Sequence, residues 1–499
     1  MDQPAADRDL HRPGPIVHVQ LREDVLDVNL HGALRDAQHR AHFLVAEPLR
    51  DQLQYLDLAR GQRGHRGPFG QARLERFDEG DDRIGGVALG GVEGFNLGEH
   101  GLQFARVGAA RVGTISTPHG DIQTPTFIPV GTKATVKSVL PESMRELGSQ
   151  AILANAYHLY LQPGPDIVDE AGGVGQFMNW SGPTFTDSGG FQVLSLGVGF
   201  KKVIAMDETS YQSDEVIATD KERLAHVDDD GVTFKSHLDG SMHRFTPEVS
   251  MQVQHKLGAD IIFAFDECTT LLNTRNYQER SLERTRLWAK RCLIEHRNLT
   301  KERANKPYQA LFGVLQGAQY EDLRRKAARD LAELNEDGQV FDGFGLGGAL
   351  DKTNLGTIVG WMTSELPKDK PRHLLGIGEP EDLFVGVEAG ADTFDCVAPS
   401  RQARTSAVFT KNGRVNLTNA KFNREFNAID SDCDCYTCKN YTAAYLNHLF
   451  RSKEMVASTL ATIHNERFII RLVDQIRSSI ESKNFYEFKE DFLGRFKRS

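Results

Sequence analysis

A (β/α)8 barrel with a zinc-binding subdomain near its C-terminus is the architecture this 499-residue sequence predicts, and three observations point to it. From Phe104 onward a short apolar run, a polar or glycine-rich cluster and a helical pattern recur in turn, and such alternation implies a parallel sheet. About eight such units, spread over roughly 300 to 380 residues, suit a closed barrel better than an open doubly wound sheet. Beyond them, Cys433, Cys435 and Cys438 form Cys-x-Cys-x-x-Cys, followed after twenty-five residues by His464. Three thiolates and one imidazole fill all four positions of a tetrahedral zinc ion, so this set is expected to build structure rather than to activate water.

The strand candidates, in chain order, are TPTFIPVGT, QAILANAYHL, ADIIFAFDECT, YQALFGVLQG, FDGFGLGG, RHLLGIGEP and ADTFDCVAPSR. Each reads as a buried strand ending in a loop. Helices between them carry start signals: Thr246-Pro247-Glu248 opens TPEVSMQVQHKLGA, and acids fill the first turn of YEDLRRKAARDLAELN. EPEDLFVGVEAGA begins with proline and acids in the same way. After the barrel, expected over 104–410, residues 411–499 are expected to hold the zinc-binding subdomain and the helix that closes the barrel.

Residues 1–100 contain no Lys, Ser, Thr or Cys, while ordinary usage of these types begins at Thr114, Ser116 and Lys133. Residues 1–103 are therefore read as an atypical extension without function, from a mis-assigned start or a poorly ordered segment. Cys268, Cys292 and Cys396 are scattered and do not resemble a disulfide framework, which suits a reducing cytoplasm. No apolar run approaches the roughly 20 residues of a membrane span, and the N-terminus has no signal-peptide pattern. The formal charge of −10 argues against a bulk nucleic-acid coat, so any RNA contact needs a local basic face.

In a barrel of this kind the loops at the strands' carboxyl ends form the site. Asn155, Asp187, Asp266, Gln316, Gly348, Glu379 and Asp395 all fall there. A lone Asp after a strand is commonly a turn residue, but several on one rim point to chemistry. Asp187 in TDSGGFQ and Asp395 in TFDCVAPSR suit substitution at a sugar carbon, where one carboxylate captures the oxocarbenium-like centre and the other moves protons. Asp266 and Gln316 together offer acceptors and donors matching the edge of a guanine-like base. Phe191 is either a stacking platform for that base or an ordinary core aromatic.

From Phe104 to its end the chain resembles the bacterial tRNA-guanine transglycosylase family, through TDSGGFQVLSLG, AFDEC, FGVLQG, GFGLGG, TFDCVAPSR, CDCYTC and IHNERF in order. The resemblance implies a (β/α)8 barrel with bound zinc, a homodimer, and a role in queuosine biosynthesis. It implies exchange of the wobble guanine in GUN-anticodon tRNAs, those for aspartate, asparagine, histidine and tyrosine, for a 7-deazaguanine. Asp395 is then the nucleophile that forms a covalent tRNA intermediate, and Asp187 the proton-transferring acid/base. Ser188, Gly189, Gly190, Asp266, Cys268, Gln316 and Gly348 would line the base pocket, with Phe191 stacking. Contacts to tRNA would come from Gly376, Ile377, Gly378, Glu379, Pro380, Glu381 and Asp382, and from Ser400, Arg401, Gln402, Ala403 and Arg404. Lys421, Arg424, Lys439 and the terminal GRFKRS could extend the basic face.

Two departures bear on the substrate. Where the bacterial family continues Leu-Ala-x-Gly-Glu after the glycine pair, this chain reads Ala349-Leu350-Asp351-Lys352-Thr353, and Phe191 stands where many members have tyrosine. Cys268 after AFDE matches the bacterial choice, so the expected substrate is the prequeuosine base, 7-aminomethyl-7-deazaguanine, with free queuine as the alternative. A non-catalytic RNA-binding subunit would be expected to lack one active carboxylate, and both are present. A small-molecule glycosidase leaves the basic segments and the zinc quartet unexplained.

Overall fold

The computed structural model describes residues 108–193 and 225–496. The expected extension over 1–103 and the last three residues of GRFKRS lie outside the described residues. The described chain opens with an antiparallel hairpin, β1 (Gly113–Thr117) and β2 (Gly120–Thr124). Its buried Ile115 and Ile122 join the apolar cluster inside the barrel. Then come β3 (Thr126–Pro129), α1 (Pro141–Glu146) and β4 (Ile152–Ala154). Three short helices follow, α2 (Ala156–Leu161), α3 (Pro165–Glu170) and α4 (Val174–Phe177), and lead to β5 (Thr184–Thr186).

An antiparallel sheet of β6 (Ala225–Val227), β7 (Val232–Lys235) and β8 (Met242–Phe245) precedes the second half of the barrel. That half runs α5 (Pro247–Leu257), β9 (Ile261–Phe263), α6 (Arg275–Glu302), β10 (Ala310–Leu315) and α7 (Glu321–Glu333). It continues through β11 (Gly343–Leu346), α8 (Leu355–Thr363), β12 (Arg372–Leu374), α9 (Pro380–Glu388) and β13 (Thr393–Cys396). The three helices with readable start signals form as expected. In α5 the Thr246 hydroxyl accepts from the Val249 N–H at 3.3 Å, Pro247 occupies the first turn, and Gly258 ends the helix in the left-handed region.

Eight parallel strands form one sheet in the order β3-β13-β12-β11-β10-β9-β5-β4. A parallel bridge between Val130 and Leu153 links the two outer strands and brings the sheet round into a barrel. Seven of these strands lie in the seven apolar runs. The eighth, β5, is Thr-Phe-Thr and has no apolar run to announce it. Its buried hydroxyls are satisfied inside, Thr184 by Asp260 at 3.3 Å and Thr186 by Gln254 at 3.2 Å, so a polar-looking strand occupies a core position. Phe185, Phe263 and Phe312 fill the interior with Ile128, Leu153 and Ile261. Each fully buried phenylalanine contributes roughly 1.5–3 kcal/mol. β11 starts with Gly343 because a Cβ there would lie 2.5 Å from the Phe312 ring.

After β13 come α10 (Ala398–Arg404), the hairpin β14 (Ala407–Thr410) and β15 (Gly413–Asn416), α11 (Tyr436–Asn440) and α12 (Ala443–Arg451). The hairpin spans the expected boundary between residues 410 and 411. α13 (Met455–Glu481) packs on β3, α10 and β14 and covers the barrel's seam, and α14 (Phe485–Phe496) follows it. No described helix is long and apolar enough to cross a membrane.

Candidate active site

Because all eight strands are parallel, their carboxyl ends share one rim. Asn155 follows β4, Asp187 follows β5, Asp266 lies just beyond β9, Gln316 follows β10, Gly348 follows β11, and Asp395 sits within β13. Asp187 Oδ1 accepts the Ala156 N–H at 2.8 Å, and its other oxygen accepts from the Asn155 amide. Enclosure by protein pushes this carboxyl up to about 6, against the pull of hydrogen bonds from Ala156, Asn155 and Gln192, while the charge of Asp395 adds to the rise.

Asp395 has a different environment. Its Oδ1 accepts from His373 Nε2 at 3.0 Å and from the Gly376 N–H at 2.9 Å. Gly376 has φ +73°, a left-handed conformation that glycine adopts without strain. The two carboxylates thus differ in their partners, the arrangement that lets one act as acid and the other as nucleophile.

The base-edge candidates also converge. Asp266 is buried, accepts Gln316 Nε2–H at 2.6 Å and Ser188 Oγ–H at 3.2 Å, and burial pushes its carboxyl up to about 6. Gln316 Oε1 is buried without a partner among the described residues, which leaves an acceptor for a planar ligand's N–H. A Cβ at Gly348, where φ is +81°, would lie 2.4 Å from that oxygen, so only glycine keeps it open. A Cβ at Gly190 would lie 2.7 Å from the Asp266 carbonyl oxygen, and Gly189 packs against Phe245 and Tyr157. Phe191 is 44% exposed and therefore not a core aromatic. Cys268 stands at the margin, half-buried, and burial pushes its thiol up to about 12, which keeps it neutral.

Two residues not singled out in the sequence belong to this site. Arg324 on α7 is fully buried and donates to the carbonyls of Ala318 at 2.8 Å, Gly347 at 2.6 Å and Ala349 at 3.2 Å. It thereby fixes the glycine loop from behind. An arginine inside YEDLRRKAARDLAELN looks like any solvated helix residue, so its burial was not legible. His373 is the second; its one signal was a histidine inside the apolar run RHLLGIGEP.

The residues assigned to tRNA by resemblance divide by exposure. Gly376 and Arg401 are exposed, and Glu379, Glu381, Asp382, Gln402 and Arg404 are half-buried. Ile377, Gly378, Pro380, Ser400 and Ala403 are buried and support the surface from beneath. Gln402 Nε2 donates to Glu379 at 2.9 Å, Lys352 pairs with Asp382 at 3.0 Å, and Arg404 Nη1 donates to the Ser400 carbonyl at 3.2 Å. Lys421, Arg424 and Lys439 are exposed.

Away from the rim, the ligating atoms of Cys433, Cys435, Cys438 and His464 all lie within 4.8 Å of one another. His464 Nδ1 is 3.7 Å from Cys435 Sγ and 3.2 Å from Cys438 Sγ. Tetrahedral zinc with bonds of about 2.3 Å to sulfur and about 2.0 Å to nitrogen sets a sulfur and a nitrogen roughly 3.5 Å apart, and the two separations from His464 Nδ1 lie on either side of that value. The His464 Nε2–H donates to the Phe409 carbonyl at 2.6 Å, leaving Nδ1 to offer its lone pair to a metal. The donor set fits a structural metal ion.

A family model described as queuine tRNA-ribosyltransferase matches residues 106–498. The chain is similar to the queuine tRNA-ribosyltransferases of three bacteria. It is 45% identical over 387 residues to that of Caldanaerobacter subterraneus subsp. tengcongensis, covering 78% of this chain and 94% of that protein. Identity is 47% over 392 residues with that of Herpetosiphon aurantiacus, covering 78% and 90%, and 43% over 387 residues with that of Bacillus subtilis, covering 78% and 93%. The match begins close to the compositional break near residue 100, and it spans the whole barrel, both rim carboxylates and the cysteine-histidine quartet. The chain belongs to the queuine tRNA-ribosyltransferase family and is a pentosyltransferase.

Proposed function

We propose that this chain exchanges the wobble guanine of GUN-anticodon tRNAs for the prequeuosine base by double displacement. The observation that carries the reading is the pair of rim carboxylates with unequal surroundings: Asp395 held by two N–H donors on one oxygen, and Asp187 with its carboxyl pushed up to about 6. In the first displacement an oxygen of Asp395 bonds to the ribose anomeric carbon as the bond to guanine breaks. The bond's electron pair leaves with guanine, which takes a proton from Asp187. In the second, the incoming base attacks the same carbon, Asp395 departs as carboxylate, and Asp187 accepts the proton released. Two inversions retain configuration. Asp266, Gln316 and Gly348 read the base edge, Phe191 stacks on it, and the target nucleotide must be splayed out of its loop to enter.

The quartet is assigned to zinc on its sulfur-rich donor set. The exposed Phe426, Tyr436 and Met455, near the quartet in sequence, support a homodimer, and the scattered free thiols a cytoplasmic setting. The reading predicts incorporation of labelled guanine into unmodified GUN-anticodon tRNA by the full chain, suppressed by the prequeuosine base more strongly than by queuine. Exchange that fails to appear, or nucleoside hydrolysis without tRNA, would refute it.

A pH dependence follows. A carboxyl with a value near 6 is largely protonated at pH 5 and about one part in ten at pH 7. Guanine departure needs the protonated form, so its single-turnover rate should fall as pH rises through 6, approaching tenfold per unit. Asp187→Asn should slow that step by about 10²–10⁴-fold and flatten the profile. A wild-type rate flat from pH 5 to 8 would count against Asp187 as the acid.

A further inference from the structure

We propose that His373 is the positioning residue of the nucleophile, fixing Oδ1 of Asp395 so that the other oxygen forms the bond to ribose. The inference rests on the catalytic reading of Asp395. The geometry comes from strand register: His373 on β12 lies opposite Thr393 on β13, and Asp395 is two residues further along β13. Side chains two apart on a strand share a face. The imidazole therefore reaches both, with Nδ1 2.8 Å from Thr393 Oγ1 and Nε2 3.0 Å from Asp395 Oδ1.

The proton's place follows from what each partner can do. A carboxylate only accepts, so Nε2 carries the hydrogen, and in the neutral ring Nδ1 then accepts from the Thr393 hydroxyl. The Asp395 carboxylate thus selects the tautomer that His373 presents, and the Thr393 hydroxyl, which can donate or accept, anchors the ring's other nitrogen. The ring is fully buried, with its centroid 5.6 Å from that of Phe185 and 5.2 Å from that of Phe263, so the surrounding packing limits its rotation. An imidazole on a barrel's interior face is otherwise an odd choice among phenylalanines and aliphatic side chains.

Oδ1 receives both donors, His373 and the Gly376 N–H, and no donor from the described residues reaches Oδ2. Attack by Oδ2 converts the carboxylate into an ester whose carbonyl oxygen is Oδ1, still hydrogen-bonded twice. When the incoming base displaces Asp395, the electron pair of the Oδ2–C1′ bond returns to the carboxylate and charge builds again on Oδ1, where the donors already stand. Preorganised donors of this kind act on charge as it develops. His373 is accordingly assigned to both displacements, and the base and tRNA contacts do not depend on it.

The test uses the full chain and unmodified GUN-anticodon tRNA, reading the rate at which a denaturant-stable chain–tRNA adduct forms and, separately, tRNA affinity. His373→Phe keeps an aromatic ring between Phe185 and Phe263 but removes both nitrogens. It is expected to slow adduct formation about 10–100-fold with tRNA affinity unchanged. His373→Gln restores one N–H donor and is expected to recover at least half of that loss on a logarithmic scale. Thr393→Val leaves the imidazole but removes the hydroxyl that anchors its Nδ1; it should lower kcat several-fold at constant KM, and it decides the matter if His373→Phe does not fold. A folded His373→Phe, or Thr393→Val, that forms adduct at the wild-type rate would overturn the role of His373 alone. A wild-type chain that forms no adduct, or an Asp395→Asn chain that still exchanges guanine, would overturn the catalytic reading and this inference together.

Discussion

Asp395→Asn should abolish guanine exchange, with a loss of roughly 10⁴-fold or more, as expected when the group that forms a covalent intermediate is removed. The size of the effect can be assigned to chemistry because the substitution is nearly silent for packing. The asparagine carbonyl can take the place of Oδ1 and accept from His373 and Gly376, while an amide nitrogen replaces the oxygen that attacks. Affinity for tRNA and the thermal midpoint should therefore stay near wild type. The checks are incorporation of labelled guanine into tRNA and trapping of the covalent adduct on a denaturing gel. An Asp395→Asn protein that forms the adduct would remove this residue from the mechanism and leave Asp187 as the remaining carboxylate able to act.

The second large effect is expected at the other end of the molecule. Cys435→Ser should lose the bound metal and destabilise the C-terminal region, because the free energy of a structural zinc site, about 10–16 kcal/mol in small metal-dependent domains, acts as folding energy. Cys435 is buried, and its thiol also accepts the Cys438 N–H at the start of α11. His464 is fully buried on α13, the helix that packs against β3 and α10. Loss of the metal should therefore loosen more than a local loop: α13 covers the barrel's seam and backs the helix carrying Arg401 and Arg404. Elemental analysis should find about one zinc per wild-type chain and none in the variant, with a lower thermal midpoint. Full zinc occupancy in Cys435→Ser would contradict the four-ligand assignment.

Much of this architecture was legible because the signals are local. Seven barrel strands are continuous apolar runs, as strands buried on both faces must be, and three helices announce themselves by proline, threonine or acids in the first turn. The quartet was legible for the same reason, since three ligands lie within six residues and thiolates at that spacing have few other uses. The rim carboxylates could be picked out once strand ends were located, because a parallel barrel gathers those ends at one face.

What remained hidden depends on contacts between segments far apart in the chain. β5 reads as a polar stretch, yet Asp260 and Gln254 satisfy its threonines in the core. Arg324 reads as a solvated helix residue, yet it is buried and donates to the carbonyls of Leu315, Ala318, Gly347 and Ala349 behind the glycine loop. His373 acquires its meaning only when β12 and β13 pair in register and set one imidazole between Thr393 and Asp395.

The fold class, the cysteine-histidine spacing and the residue types at the rim could be read from the chain alone, since apolar periodicity, residue spacing and strand-end position are properties of short stretches. Which oxygen of Asp395 is held, why the Asp187 carboxyl is pushed up to about 6, and which of the expected tRNA-facing residues reach the surface all follow from the folded barrel. Those outcomes depend on burial and on hydrogen bonds across the sheet, and neither exists until the barrel closes.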